Sequence, residues 1–324
     1  MIHNVLSQFG IDDSASIKPL GNAGGFSGAS ITRIESPAGD HCLRKWPKSH
    51  PTQERLDWIH RVLLHAKING CPVPPPIRTT AGDTFLRFRE HFWELTPWLP
   101  GLANFEQDPN SERLKDTVHT LAKLHQSNAQ IQLEFGQSNN MLARIEQLRA
   151  FPQRLGMLDR HPALQHSEMM GSLHAQLRRC SDQVQPCIEN LEQFGRQPWV
   201  IQPVIRDLWH DHILFTENQV TGIVDFGAMQ MDNVALDLAR MLGSLLGDHD
   251  DPKWITAIDQ YHLIRPLSTA ERQAIPILDR SAVLLGALNW LCWIVLEQKS
   301  FEDWKAVERR VRILGDRLEY FSAE

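Results

Sequence analysis

Two aspartates, Asp207 and Asp225, each sit beside a short apolar run, and they lie 225 − 207 = 18 residues apart. The first belongs to Val204-Ile205-Arg206-Asp207-Leu208-Trp209, the second to Val220-Thr221-Gly222-Ile223-Val224-Asp225-Phe226-Gly227. A carboxylate within hydrogen-bond reach of a hydroxyl can orient it and take its proton. A second can supply the hard oxygen that a magnesium ion bridging nucleotide phosphates requires. Arg-Asp-Leu followed downstream by Asp-Phe-Gly therefore points to phosphoryl transfer. Arg206 and Asp207 are the candidate catalytic residues, and Asp225 is a candidate metal ligand. Either aspartate alone would more simply be a loop residue or a helix cap. The pair, at this spacing and with a strand-like run between them, favours the chemistry. Gly227 would let the backbone turn sharply after Asp225.

Five residues after Asp207 stands His212, a second candidate metal residue. Imidazole suits zinc, copper, iron or nickel better than magnesium. His212 can ligate a divalent ion, hydrogen-bond a phosphate, orient Asp207, or be a structural histidine, and these readings stay open. Phosphates need donors as well. The loop Gly21-Asn22-Ala23-Gly24-Gly25-Phe26-Ser27-Gly28 lies between two predicted strands. Its backbone N–H groups at Gly24, Gly25 and Phe26, with the Ser27 hydroxyl, could wrap a phosphate. The pattern is neither the dinucleotide fingerprint nor a P-loop, and a plain flexible hairpin is the ordinary alternative. In Cys42-Leu43-Arg44-Lys45 the cation for the phosphates is Arg44 first and Lys45 second, since strand alternation sends them to opposite faces. Glu54, on the following helix, is the candidate carboxylate to hold that cation; the alternative is an exposed first-turn glutamate favoured by the helix dipole. Asp232 reads as a helix N-cap. Asp237, an acid inside an apolar run, needs a buried partner and should brace the Asp207 loop.

The elements that must hold these residues fall into two groups. Ile17–Leu20 is a short strand weakened by Pro19. Ile31–Ile34 and Cys42–Trp46 bracket the turn signal Pro37-Ala38-Gly39-Asp40 and should form a hairpin. Glu54–Lys67 carries apolar residues at helical period, and Thr84–Trp98 reads as one or two strands. Pro97-Trp98-Leu99-Pro100-Gly101 marks a boundary, giving lobes 1–97 and 98–324. The second is expected to be mainly helical, with helices at Leu114–His125, Met141–Ala150, Ser167–Phe194, Val234–Leu246, Trp254–Tyr261, Ser268–Leu296 and Phe301–Phe321. The fold class is thus α+β, a small sheet-rich lobe and a larger helical one.

Composition narrows the partners. A formal charge of -6 argues against a nucleic-acid binder driven by phosphate neutralisation. Five cysteines, scattered and without a CxxC pair, suggest reduced thiols in a cytoplasmic protein. The start, MIHNVLSQFGIDD, lacks the basic and apolar runs of a signal peptide. The most apolar stretch, Ala282–Leu296, is too short to span a bilayer, so no membrane partner is expected.

Taken in order, the chain resembles the aminoglycoside phosphotransferase/choline kinase superfamily. The pieces that carry this are Gly24-Gly25-Phe26-Ser27, Cys42-Leu43-Arg44, Val73-Pro74, Leu95–Gly101, Leu121–His125, Arg206-Asp207-Leu208, Asp225-Phe226-Gly227 and Asp232…Asp237-Leu238-Ala239. The resemblance implies a protein-kinase-like two-lobe fold, with a small antiparallel-sheet N-terminal lobe and a larger, mainly helical C-terminal lobe. It implies transfer from ATP or GTP, with magnesium (or manganese), to a hydroxyl of a small molecule. It further implies Asp207 as base, Asp225 as metal ligand, Ser27 and the glycines at the phosphates, and the backbone near Thr96 and Trp98 at the purine. Three positions depart from the family pattern: Ile205-Arg206 replaces His-Gly, His212 replaces asparagine, and Arg44 takes the usual lysine position. These departures leave a nucleotide-binding regulatory module as the alternative. A metal-dependent phosphohydrolase using His210, Asp211 and His212 is a third reading. The acceptor itself is not legible, although acidic residues in the helical lobe would suit an aminated one.

Overall fold

The computed structural model describes residues 2–21, 28–247, 251–301 and 303–323. Gly24, Gly25, Phe26 and Ser27 lie outside the described residues, as does the acidic stretch 248–250. In chain order the elements begin with α1 (Ile2–Gln8), β1 (Ser16–Gly21), β2 (Ser30–Ser36), β3 (Gly39–Lys45) and α2 (Gln53–Ile68). Next come β4 (Leu86–Phe88), β5 (His91–Pro97), α3 (Ser111–Ile131), β6 (Glu134–Gly136), α4 (Asn139–Arg149) and α5 (Phe151–Leu158). They continue with α6 (Glu168–Arg179), α7 (Val184–Gly195), β7 (Trp199–Val204), β8 (Ile213–Thr216), β9 (Gln219–Ile223) and β10 (Gln230–Asp232). Four helices follow: α8 (Ala235–Leu246), α9 (Pro252–Ile264), α10 (Thr269–Leu291) and α11 (Trp304–Ala323). Contacts divide the chain into two compact units, residues 1–131 with 210–229 and residues 132–209 with 230–324. The first takes in more chain than 1–97, because α3 packs on both α2 and β9 and draws the β8–β9 hairpin with it.

In the first unit the sheet is antiparallel, in the order β1-β2-β3-β5-β4. β1 is an edge strand, where a proline that cannot donate is tolerated, and its register shifts between Pro19 and Gly21. The expected hairpin forms as β2–β3, closing with Ser36 opposite Gly39. One sheet face buries Ile34, Leu43 and Leu95 against Val5 and Leu6 of α1. The opposite face holds Arg44 and Glu94, direct partners across β3 and β5, and receives α2 through His60. Alternation along β3 therefore separates an apolar core from a charged network within one residue.

The second unit is mainly helical, and α10 is its axis, packed against α4, α6, α7, α8 and α11. The helix expected over Ser167–Phe194 is two: α6 stops at Arg179, residues 180–183 tighten to a 3-10 turn, and α7 restarts at Val184. The reason is Pro186, which has no N–H to give to the turn before it. The three-residue strands β6 and β10 are too short to display a period in the sequence, whereas α5, also outside the expected elements, buries Phe151, Leu155 and Leu158 at helical spacing. Thr269–Leu296, a longer segment than the stretch Ala282–Leu296 singled out in the sequence, is long and apolar enough, by length and composition alone, to cross a membrane. Its apolar window is 61% buried inside the protein. The five cysteines are all free thiols.

Candidate active site

The first unit assembles one group of predicted site residues. Arg44 Nη1 donates to Asp225 Oδ1 at 3.0 Å, and Arg44 Nε lies 3.5 Å from Glu94 Oε1. Glu94 Oε2 is in turn 2.6 Å from His60 Nε2, whose other ring nitrogen meets Thr84 Oγ1 at 2.9 Å. Burial pulls Arg44 down, but Asp225 and Glu94 outweigh it and hold the guanidinium above its ordinary value. Burial likewise pushes Glu94 up, and the His60 hydrogen bond with the charges on His60 and Arg44 reverses this, leaving its carboxyl below the usual range. Arg44 also stacks on Trp46, 4.9 Å from the ring centre.

This geometry corrects Glu54 as the carboxylate for the cation. Glu54 is exposed in the first turn of α2, and the carboxylate comes instead from β5. Antiparallel pairing sets Glu94 directly across from Arg44 on the neighbouring strand. Lys45 points to the other side, 5.6 Å over the Trp93 ring, so Arg44 is the cation at Asp225. Thr96 pairs with Cys42 in the sheet, and the Trp98 N–H already donates to Asp40 O at 2.9 Å. That N–H is therefore engaged within the unit, which narrows how the 96–98 backbone could meet a purine.

Asp225 takes φ +63°. A non-glycine residue in the left-handed region is uncommon, and aspartate is among those that tolerate it. The sharp turn thus occurs at Asp225 itself. Gly227 does not have positive φ; it is glycine because a Cβ there would come 2.8 Å from Trp46 Cη2. Arg55 fastens the loop, donating from Nη2 to Gly227 O and Met229 O, each at 3.1 Å. His212 Nε2 sits 3.8 Å from Asp225 Oδ2 and 3.7 Å from Asp211 Oδ1, while the Val224 N–H bonds His212 O. His210 faces Glu106 at 3.2 Å. Among the described residues no group of three or more His, Cys, Asp or Glu is arranged to hold a metal ion. A half-exposed carboxylate such as Asp225 nonetheless fits magnesium, which binds through one or two carboxylates and completes its shell with phosphates and water. A zinc-type hydrolase site needs three protein ligands, and the His210–His212 turn does not gather them among the described residues.

The second unit holds the other group. Asp207 follows β7 in a loop that Asp237 braces: its Oδ2 accepts the Ile205 N–H at 2.7 Å and its Oδ1 the Arg206 N–H at 2.6 Å. Those two bonds secure a strained backbone, for Arg206 has φ +72°. Asp207 Oδ1 then accepts from Trp209 Nε1 (2.9 Å) and from Arg240 Nε (3.1 Å) and Nη2 (2.9 Å). Its side chain stays half exposed. Arg240 and Arg310 lie over the Trp209 ring, 3.9 and 3.3 Å from its centre. Asp232 does not cap α8, whose N-cap is Val234. It lies at the end of β10 and accepts from Ser138 Oγ, Asn140 N and Asn233 N, tying β10 to the start of α4.

Several of these partners do not stand out in the sequence. Arg240 follows Asp237 by three residues and so shares its helix face, which is a local signal. Glu94 can be found only with the β3–β5 register, and His60 only once Glu94 is known.

The description "Phosphotransferase enzyme family" belongs to the family model that matches residues 19–274. A homoserine kinase of Granulibacter bethesdensis is 24% identical over 270 residues, covering 80% of this chain and 76% of that protein. Among solved structures, a spectinomycin phosphotransferase in complex with ADP and spectinomycin superposes with a TM-score of 0.70 at 12% identity, covering 99% of this chain and 97% of the other. A microcompartment-associated aminopropanol kinase gives a TM-score of 0.66 at 16% identity, covering 98% and 94%. At such identities the structural likeness speaks for the fold.

Proposed function

The chain belongs to the phosphotransferase enzyme family, and from that premise we propose that it moves a phosphoryl group from ATP, or GTP, to the hydroxyl of a small aminated molecule. It has the family's protein-kinase-like fold and is a small-molecule kinase by kinship. The single observation that carries the reading furthest is the Asp207 loop. Its backbone is fixed by Asp237, while the Asp207 side chain stays half exposed.

In this reading Asp207 accepts the acceptor hydroxyl's proton, with Arg206 shaping the loop behind it. Trp209 and Arg240 donate to Oδ1 and orient the carboxylate for that task. Asp225, with His212 beside it, would hold magnesium or manganese, which when bound neutralises charge on the transferring phosphates. Arg44, locked by Glu94, keeps Asp225 oriented and supplies a cation toward the donor phosphates. Gly24, Gly25, Phe26 and Ser27 are assigned to the phosphates, and Thr96 and Trp98 to the purine. Residues 1–97 would serve the nucleotide and 98–324 the chemistry and the acceptor, in the cytoplasm. An aminated acceptor is supported by a homoserine kinase and an aminopropanol kinase to which the chain is similar, whose named compounds both carry an amine and a hydroxyl.

The test is product formation. The protein with magnesium and ATP is offered a panel of amino alcohols and hydroxy amino acids, and phosphate monoesters are followed by phosphorus NMR. A new monoester in at least one reaction is expected. ADP release without any phosphorylated acceptor across the panel would contradict the proposal.

A further inference from the structure

Arg44 and Glu94 face each other across β3 and β5, yet they do not make the two-point fork that a guanidinium and a carboxylate readily form. They meet as a one-point ion pair, Arg44 Nε to Glu94 Oε1 at 3.5 Å. The other carboxylate oxygen is held by His60 of α2, whose Nε2 lies 2.6 Å from Oε2. His60 is 2% exposed and Glu94 8%, so solvent offers that oxygen little in exchange. The Glu94 carboxyl lies below the usual range and is ionised at neutral pH, where it has no proton to give. Nε2 therefore carries the hydrogen of this bond. The ring is pinned from its other side, with Nδ1 2.9 Å from Thr84 Oγ1 and the Phe85 ring tilted against it at 5.9 Å. Because Glu94 engages Arg44 at Nε alone, Nη1 stays on Asp225 Oδ1 at 3.0 Å. A fork onto Glu94 would turn the guanidinium toward β5 and away from Asp225.

We propose that His60 is a positioning residue: by holding Glu94 Oε2 it keeps Glu94 from capturing Arg44 in a fork, and so keeps the guanidinium on Asp225 and turned toward the donor phosphates. This rests on the reading of Arg44 as the cation for those phosphates. Without the imidazole, Oε2 would be a buried charged acceptor short of a donor, and the guanidinium already at Oε1 would supply one. The sheet would keep its ion pair; the direction of the arginine would be lost. A lysine would behave differently. Its ammonium is a point charge with no fork to capture, so the need for His60 is tied to arginine at position 44.

Calorimetric affinity for a non-hydrolysable ATP analogue with magnesium is measured in the wild type, His60→Leu, Arg44→Lys and the double variant, with denaturant unfolding of each. In His60→Leu the affinity is expected to fall by about 10-fold or more, the worth of one charge-assisted bond. His60→Gln, whose side-chain amide can donate to Oε2, should restore most of it. In the Arg44→Lys background His60→Leu should change the affinity by less than about twofold, the mark of an effect that passes through the arginine. Thr84→Val keeps the imidazole but frees it to turn. It should show a smaller loss with the same dependence on Arg44, and it carries the comparison if His60→Leu does not fold. An equal loss in the arginine and lysine backgrounds would reduce His60 to a packing residue and overturn the proposal. Unchanged affinity in His60→Leu, with Arg44→Gln weakened, would overturn it and leave Arg44 at the phosphates. Arg44→Gln binding as tightly as the wild type would sink the assignment of Arg44 to the phosphates, and the role of His60 with it. Failure of the wild type to bind the analogue at all would sink nucleotide-dependent transfer as well as this role.

Discussion

At the residue scale the structure concentrates charge where the sheet meets α2. Glu94 is the pivot, since it takes Arg44 on one oxygen and His60 on the other. Its carboxyl lies below the usual range, so the stability it lends is present above the unfolded value and is lost as pH falls through the folded one. Acid unfolding should therefore be steeper in the wild type than in Glu94→Gln from about pH 4.5 downward, near and below the ordinary glutamate pKa. At neutral pH the variant should be less stable by about 3 kcal/mol, because it strips a buried guanidinium of a partner. Denaturant unfolding followed against pH checks both statements, and parallel pH profiles would refute the first. His212 offers a second residue-level experiment. Asparagine presents a hard amide oxygen, so His212→Asn should keep or improve magnesium-dependent turnover and tighten activation by magnesium relative to manganese. A collapse of activity would give the imidazole a role of its own.

At the element scale, backbone positions in strained conformations are fixed by specific partners. Asp237 at the start of α8 satisfies two N–H groups of the loop after β7, one of them on Arg206 with its positive φ. Asp237→Ala leaves both donors unmet and should cost about 2–4 kcal/mol in denaturant unfolding, with a loss of turnover larger than the unfolded fraction explains. Asp237→Asn, which keeps one acceptor, should fall between. The role of Asp237 is visible in the sequence, because a carboxylate inside Ala-Leu-Asp-Leu-Ala must find a buried donor. Arg44 is visible from the order of small, large and cationic residues along β3. Glu94 is not, since cross-strand register is a long-range property that no local pattern encodes. Gly227 reads as a turn residue in the sequence, whereas it makes room for the Trp46 ring and the turn falls on Asp225. A single long helix over Ser167–Phe194 ignores Pro186, a break that local chemistry can show. The three-residue strands β6 and β10 exist only through pairing with β7, so their own residues give no sign of them.

At the scale of the whole molecule, the arrangement is a five-stranded antiparallel sheet in one compact unit and a helical unit built around α10 in the other. The apolar length of α10 has an internal use, since most of its apolar window is covered by neighbouring helices. The folded protein should accordingly stay in the supernatant when centrifuged with anionic lipid vesicles; co-sedimentation would require α10 to be exposed. The family places phosphoryl transfer on this fold, and three of the residues nominated for it by sequence occupy restrained positions: Asp207 on a braced loop, Asp225 in a left-handed turn, Arg44 between two carboxylates. The most direct measurement is a comparison of wild type and Asp207→Asn, with turnover on the best acceptor and nucleotide affinity determined on the same preparations. A general base contributes about 10²- to 10⁴-fold, so kcat should fall by at least about 100-fold while nucleotide affinity changes by less than about threefold. Turnover in Asp207→Asn within about twofold of wild type would remove Asp207 from the chemistry, and with it the proposed route of phosphoryl transfer.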